Sequence, residues 1–176
     1  LSLCLICSAA VPVFAAQNSM SNFKITNTYS GTFKDVASTH WAASAVETCY
    51  EYGLMKGNSA VTFHPDGNLT VAQAIVMADR AHAIYTTGES TLQNGKTWYQ
   101  PYIDYAAENG ILSEGEFKDY DAAITRAQMA SLFCNALPAS ELRAINAVSS
   151  IPDIAGNPNS DKILMLYQAG VLTGSD

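Results

Sequence analysis

The residues that invite a chemical reading are few. His40, His64 and His82 fall in no metal-ligand spacing, with no His-Glu-x-x-His run and no paired Cys-x-x-Cys clamps. Asn157, Asn159 and Asp161 alternate like the start of a calcium loop, but Lys162 stands where that loop needs its turn glycine. No Gly-x-Ser-x-Gly elbow and no phosphate-binding loop occurs. These patterns point away from an enzyme, a metal site or a cofactor. Arg126 is the exception to a bland reading. It sits in the first turn of an expected helix, where a cation opposes the helix dipole, and that hints at a purpose other than stability.

Charge narrows the partners. The chain of 176 residues carries a net charge of -7, and every charged residue lies beyond position 23. No basic cluster exists to reward phosphates, so nucleic acid is excluded as a partner. An anionic partner would have to be met by one or two well-placed cations.

The first residues, LSLCLICSAAVPVFAA, are uncharged and almost wholly apolar, and Val13-Phe14-Ala15 fits a signal-peptidase site. The stretch is short of the roughly 20 residues that span a bilayer. Residues 1–15 are expected to be a partial signal peptide, so the mature protein is secreted and has no membrane partner. Cys4 and Cys7 would leave with it. Cys49 and Cys134 remain, read as two lone core thiols rather than a bridge.

The elements that would hold these residues repeat along the chain. Trp41 and Trp98 are separated by the same interval as Val46 and Ile103, and as Gly53 and Gly110. Tyr52-Gly53-Leu54-Met55 returns as Asn109-Gly110-Ile111-Leu112, and a third copy appears in Ala169-Gly170-Val171-Leu172. Each unit reads as helix, loop, helix. Trp41, Ala45, Val46, Cys49 and Tyr52 recur at helical steps and predict the buried face of a first helix, which Gly53 ends with a left-handed cap. Pro65-Asp66-Gly67 predicts a turn in which proline presets one dihedral and glycine accepts a positive one. Thr70-x-x-Gln73 and Thr125-x-x-Gln128 predict capping boxes that open the second helices. Apolar stripes follow in Ala74, Met77, Ala78 and Ala81, and in Met129, Leu132, Phe133 and Ala136.

The expected division is a polar lead-in over 16–31, repeat one over 32–85, a linker over 86–96, repeat two over 97–137, a linker over 138–149, and an incomplete repeat three over 150–176. The third unit offers an apolar face (Ile163, Leu164, Leu166, Tyr167) without a second helix to cover it, so self-association or a loose C-terminal third is expected. The fold class is all-α, with short extended segments only near the repeat starts.

Phe33-Lys34-Asp35-Val36, His40-Trp41-Ala42, the glycine-led steps, Phe63-His64-Pro65 and Thr125-Arg126-Ala127-Gln128, in that order, resemble the S-layer homology domain. The resemblance implies three repeats in a pseudo-threefold helical bundle. It also implies grooves that bind anionic, often pyruvylated, secondary cell-wall polysaccharide and so anchor surface proteins to the cell wall. Arg126 stands at the family's groove arginine, where a guanidinium fork suits a carboxylate, with Gln128 replacing the usual glutamate. Repeat one has Val71 at that position and would lack the contact.

Asp35, Trp41 and Trp98 match further family positions. A tryptophan covers the apolar face of a pyranose, but core packing would select it equally. Turn or cap duty accounts equally for Asp35 and Asp153. Gly57, Gly115 and Gly174 permit close approach to a sugar, and turn geometry alone would also select them. Two alternatives to glycan anchoring stay open: a structural module that binds protein in an S-layer lattice, and the anchor portion of a larger surface hydrolase.

Overall fold

The computed structural model describes residues 17–174; the expected signal peptide lies outside the described residues. Each local signal has a structural counterpart. Thr70 and Thr125 cap α2 (Val71–Thr87) and α4 (Arg126–Ala136), and both capping boxes are complete. Gln73 and Gln128 donate N–H to the threonine oxygens at 3.3 and 3.2 Å, and their side-chain carbonyls accept the threonine N–H at 2.9 and 3.0 Å. The first helices are α1 (Ala43–Glu51), α3 (Gln100–Glu108) and α5 (Ser160–Gln168). All three end alike. Gly53, Gly110 and Gly170 take positive φ, and the next residue's N–H reaches back to Cys49 O, Ala106 O and Leu166 O. This is the Schellman closure that satisfies the orphan carbonyls of a helix end.

Among the described residues the regular elements are all helical, joined by irregular loops, apart from one isolated antiparallel bridge between Thr70 and Ala123. That bridge joins the loops before the second helices, not the repeat starts where extended segments were expected. The reason lies in α2's unpaired first amides. Val71 N–H donates to Ala122 O and Ala72 N–H to Tyr120 O, both at 2.9 Å, so the loop of the next unit closes the helix end.

Packing follows. α2 is buried on nearly all sides, as a central helix must be, and it contacts α3 and α4; α4 in turn carries α5. The main core gathers Ile75 and Ala78 of α2, Tyr102 and Ala106 of α3, Leu132 and Ala136 of α4, and Ile111 and Phe117 between them. On α5, Leu166 is buried, while Ile163, Leu164 and Tyr167 keep partial exposure.

A smaller cluster of Phe33, Val36 and Val46 lies under α1, flanked by Tyr29, Ala42, Tyr50 and Phe63. The inward face of α1 is therefore Ala42, Val46 and Tyr50, rotated from the stripe read off the sequence. Helix α1 begins at Ala43, which leaves Trp41 before the helix and 85 % exposed, and Ala45 faces outward too.

The turn after Phe63 also differs in detail. Positive φ falls on His64 (68°), and Gly67 is not among the positive-φ glycines. Asp35 explains this: its carboxylate accepts the N–H of Phe63 and of His64, which holds the chain in place just before Pro65.

Candidate functional site

Two clefts lie between successive helix pairs. The first, of about 980 Å³, runs between the loops and outer face of α2 and the start of α3. Gly57 and Trp98, two of the expected ligand residues, line it. The second, of about 510 Å³, lies between the start of α4 and the segment containing α5, and Arg126 lines it with Asp153 and Gly174. Trp41, Asp35 and Gly115 line neither cleft. The expected site residues are thus divided between two places, with Trp98 in one and Arg126 in the other.

The two equivalent helix starts have opposite environments. Val71 is 2 % exposed because the loop carrying Tyr120 and Ala122 pairs with the amides of α2. An arginine there would force a charge into packed apolar surface. Arg126, at the same place on α4, is exposed, and its Nη2 donates to Thr173 O at 2.9 Å across the second cleft. A guanidinium has five N–H donors, so this bond positions the fork without exhausting it.

The other expected residues have local roles. Asp35 accepts three backbone hydrogen bonds of 2.7–3.1 Å from Phe63 and His64, and the Phe63 N–H above all holds its carboxyl below the usual range. That is the turn-clamping duty weighed for it above. Gly57 has φ 79°, and a side chain there would meet the Phe33 ring and lie 2.8 Å from Thr62 O. The close approach that glycine permits is made by Phe33, not left open for a sugar. Gly115 also has positive φ (71°), with nothing within 4 Å of where a Cβ would stand, so turn geometry alone accounts for it.

The histidines and thiols are likewise occupied. His40 Nδ1 accepts the N–H of Ala42 at 3.2 Å, substituting for the cap that Ala42 cannot supply, and its Nε2 lies 3.7 Å from Asp66. His82 bonds Tyr105 Oη at 2.8 Å, and burial pushes its pKa down. Cys49 and Cys134 are free thiols; burial raises both, Cys134 to about 11. Asn157 Oδ1 accepts Asn159 N–H in a local turn, and Lys162 Nζ bonds Ser131 Oγ at 2.9 Å. Among the described residues no group of three or more His, Cys, Asp or Glu is placed to hold a metal ion, and no helix is long and apolar enough to cross a membrane.

Sequence reading missed Lys56 and Arg80, which share the first cleft with Trp98. Arg80 lies in the middle of α2, far along the chain from the motif position, so no motif signals it. It also missed Asp79, 0 % exposed, whose two carboxylate oxygens have no hydrogen-bond partner among the described residues. A carboxylate next to the apolar stripe of α2 was the available signal.

Residues 32–75 match the model of the S-layer homology domain. An endoglucanase of Bacillus sp. (strain KSM-635) is 32 % identical over 188 aligned positions, which take in 99 % of this chain and 19 % of the endoglucanase. The surface-layer 125 kDa protein of Lysinibacillus sphaericus is 28 % identical over 110 positions, 57 % of this chain and 9 % of that protein. An amylopullulanase of Thermoanaerobacterium thermosulfurigenes is 30 % identical over 95 positions, 49 % of this chain and 5 % of the amylopullulanase. The chain spans less than a fifth of the length of each of these relatives.

Proposed function

We propose, from the premise that the chain belongs to the S-layer homology family, that it holds a secreted protein at the bacterial cell surface by binding acidic secondary cell-wall polysaccharide without covalent attachment. The observation that carries this reading is Arg126. It stands exposed at the wall of the second cleft, its guanidinium fixed by Thr173 O, at a helix position where the dipole disfavours a cation. The ligand group that suits it is a carboxylate, such as a pyruvate ketal, taken bidentately. The reading divides the chain into repeats at about 32–85, 97–137 and 150–176 around a pseudo-threefold axis, and the contacts of α2 with α3 and of α4 with α5 join each second helix to the first helix of the next unit.

Co-sedimentation with purified walls tests the reading. The parent chain pellets with polymer-bearing walls and stays in solution with walls stripped of their acidic polymer. Replacing Arg126 with Ala leaves folding nearly intact, because the Thr125–Gln128 capping box does not use that side chain. Retention falls about ten- to a hundredfold, the effect of losing a hydrogen bond to a charged group worth roughly 1.5–3 kcal/mol. Undiminished binding of the Arg126→Ala variant overturns the assignment of Arg126, and equal binding to stripped walls overturns the glycan reading.

Two further readings draw on the relatives. The endoglucanase and amylopullulanase, both far longer than this chain, favour its being the non-catalytic anchor of a larger hydrolase. The surface-layer protein favours a lattice component that binds its own copies. Self-association that isolated wall polymer does not displace distinguishes the lattice from the anchor.

A further inference from the structure

We propose that Asn94 is a self-modification site: with Gly95 it closes to a succinimide that water opens to aspartate or isoaspartate, which places a carboxylate on the wall of the first cleft. The inference concerns the chain's own covalent chemistry and does not rest on the wall-glycan reading.

The chain has two Asn-Gly pairs, Asn94-Gly95 and Asn109-Gly110. In either, the glycine nitrogen can attack the asparagine Cγ, because no Cβ on the glycine hinders the approach. The glycine N–H gives its proton to solvent base and the N–Cγ bond forms. The Cγ–Nδ2 bond then breaks, and the departing nitrogen takes up a proton and leaves as ammonia. One water adds to the ring: opening at Cγ gives aspartate, and opening at the backbone carbonyl gives isoaspartate. Nothing is oxidised or reduced.

The fold separates the two pairs. Asn109 is the C-cap of α3, with φ -100° and ψ 8°, and its Nδ2 donates to Tyr105 O at 2.8 Å. Gly110 follows inside the Schellman closure, where Ile111 N–H donates to Ala106 O. Attack there has to open the helix end and free the departing nitrogen. Asn94 instead lies exposed in the irregular loop between α2 and α3, and among the described residues its Nδ2 has no partner. The glycine N–H groups are held about equally weakly, Gly95 by Trp98 O at 3.4 Å and Gly110 by Ala107 O at 3.3 Å. The difference therefore lies in the asparagines and the helix end.

Tyr102 adds a positioned donor. Its ring is buried, and its Oη donates to Leu92 O and to Asn94 Oδ1, both at 3.3 Å. The hydroxyl has one proton to share between them. As Gly95 attacks, negative charge grows on Oδ1, which becomes the stronger acceptor and is stabilised by that proton. The product changes the cleft in which it forms. The described residues lining that cleft include Lys56 and Arg80 and no Asp or Glu, so a carboxylate at position 94 opposes its positive charge.

Trypsin places the two pairs on separate peptides, 81–96 and 97–118. The full chain is kept in mildly alkaline buffer and sampled by peptide mass spectrometry for the mass gain of an amide becoming an acid. In the folded chain peptide 81–96 should convert about tenfold or more faster than 97–118, and in urea the two rates should converge. Asn94→Gln should abolish the change in 81–96. Tyr102→Phe, verified as folded by circular dichroism, should slow it about two- to tenfold in buffer and leave the rate in urea unchanged.

Equal or reversed rates for the two peptides in the folded chain overturn the proposal, as does conversion of 81–96 that persists in Asn94→Gln. An unchanged rate in folded Tyr102→Phe overturns the part given to Tyr102. If that variant does not fold, the comparison of the two peptides in the parent chain decides alone. Sedimentation with polymer-bearing walls is a separate measurement, so failure here leaves the anchoring function standing.

Discussion

Replacing Asp79 with Asn should stabilise the protein, and by an amount that depends on pH. Asp79 lies in the middle of α2 with no exposed surface, and among the described residues no donor reaches either oxygen. Burial raises its pKa from 3.8 to about 8. Tyr105 of α3, near enough to feel the carboxylate, has its own pKa raised, chiefly by burial. The folded state thus holds the Asp79 proton more tightly than the unfolded chain does. Stability is fully present below the unfolded value and is lost as pH rises towards the folded one.

Each unit between the two values corresponds to about 1.4 kcal/mol, so at pH 7 the carboxyl costs about 4 kcal/mol relative to its acid form. Asparagine has nearly the same size and never ionises. Urea unfolding should show Asp79→Asn more stable than the parent by about 4 kcal/mol near neutrality and by almost nothing near pH 4. The parent should lose stability between these points while the variant changes less. A difference between the two proteins that is the same at pH 4 and pH 8 would refute the reasoning, because it would mean that Asp79 titrates alike in both states.

Two other substitutions or probes test separate parts of the structure. Gly57→Ala should destabilise by about 1–3 kcal/mol in thermal or urea unfolding, since φ of 79° is strained for alanine and its methyl meets Phe33 and Thr62 O. The same change at Gly115, where the space is open, should cost only the strain of positive φ. The Cys134 thiol, raised to about 11 and bonded to Lys162 O, should react with a disulfide reagent near pH 8 much more slowly in the folded protein than after denaturation. Equal rates in the two states would show that it is not held in the helix interface.

The proposed wall-binding role places its specificity in few residues. The net charge is -7, so an acidic polymer is held at a placed cation, Arg126, and not by a general field.

What the sequence determined by itself was local. Threonine and glutamine three residues apart close a capping box within one turn, and a glycine after an apolar run ends a helix by its own dihedral freedom; neither depends on the rest of the fold. The repeat and the helical class followed from those signals. Less local are the side-chain amides of Asn27 and Asn146, which lie in segments that read as a lead-in and a linker yet donate to Tyr50 O of α1 and Tyr167 O of α5.

The tertiary structure decided which equivalent positions remained equivalent. Val71 and Arg126 open matching helices, but the loop at Tyr120 and Ala122 packs over Val71, whereas Arg126 is exposed with its Nη2 on Thr173 O, and no local pattern records what covers a helix start. The outward turn of Trp41, the burial of Asp79 and the sharing of one cleft by Lys56, Arg80 and Trp98 were settled in the same way. Burial and electrostatic environment belong to pairs of elements distant in sequence, and they exist only once those elements have packed.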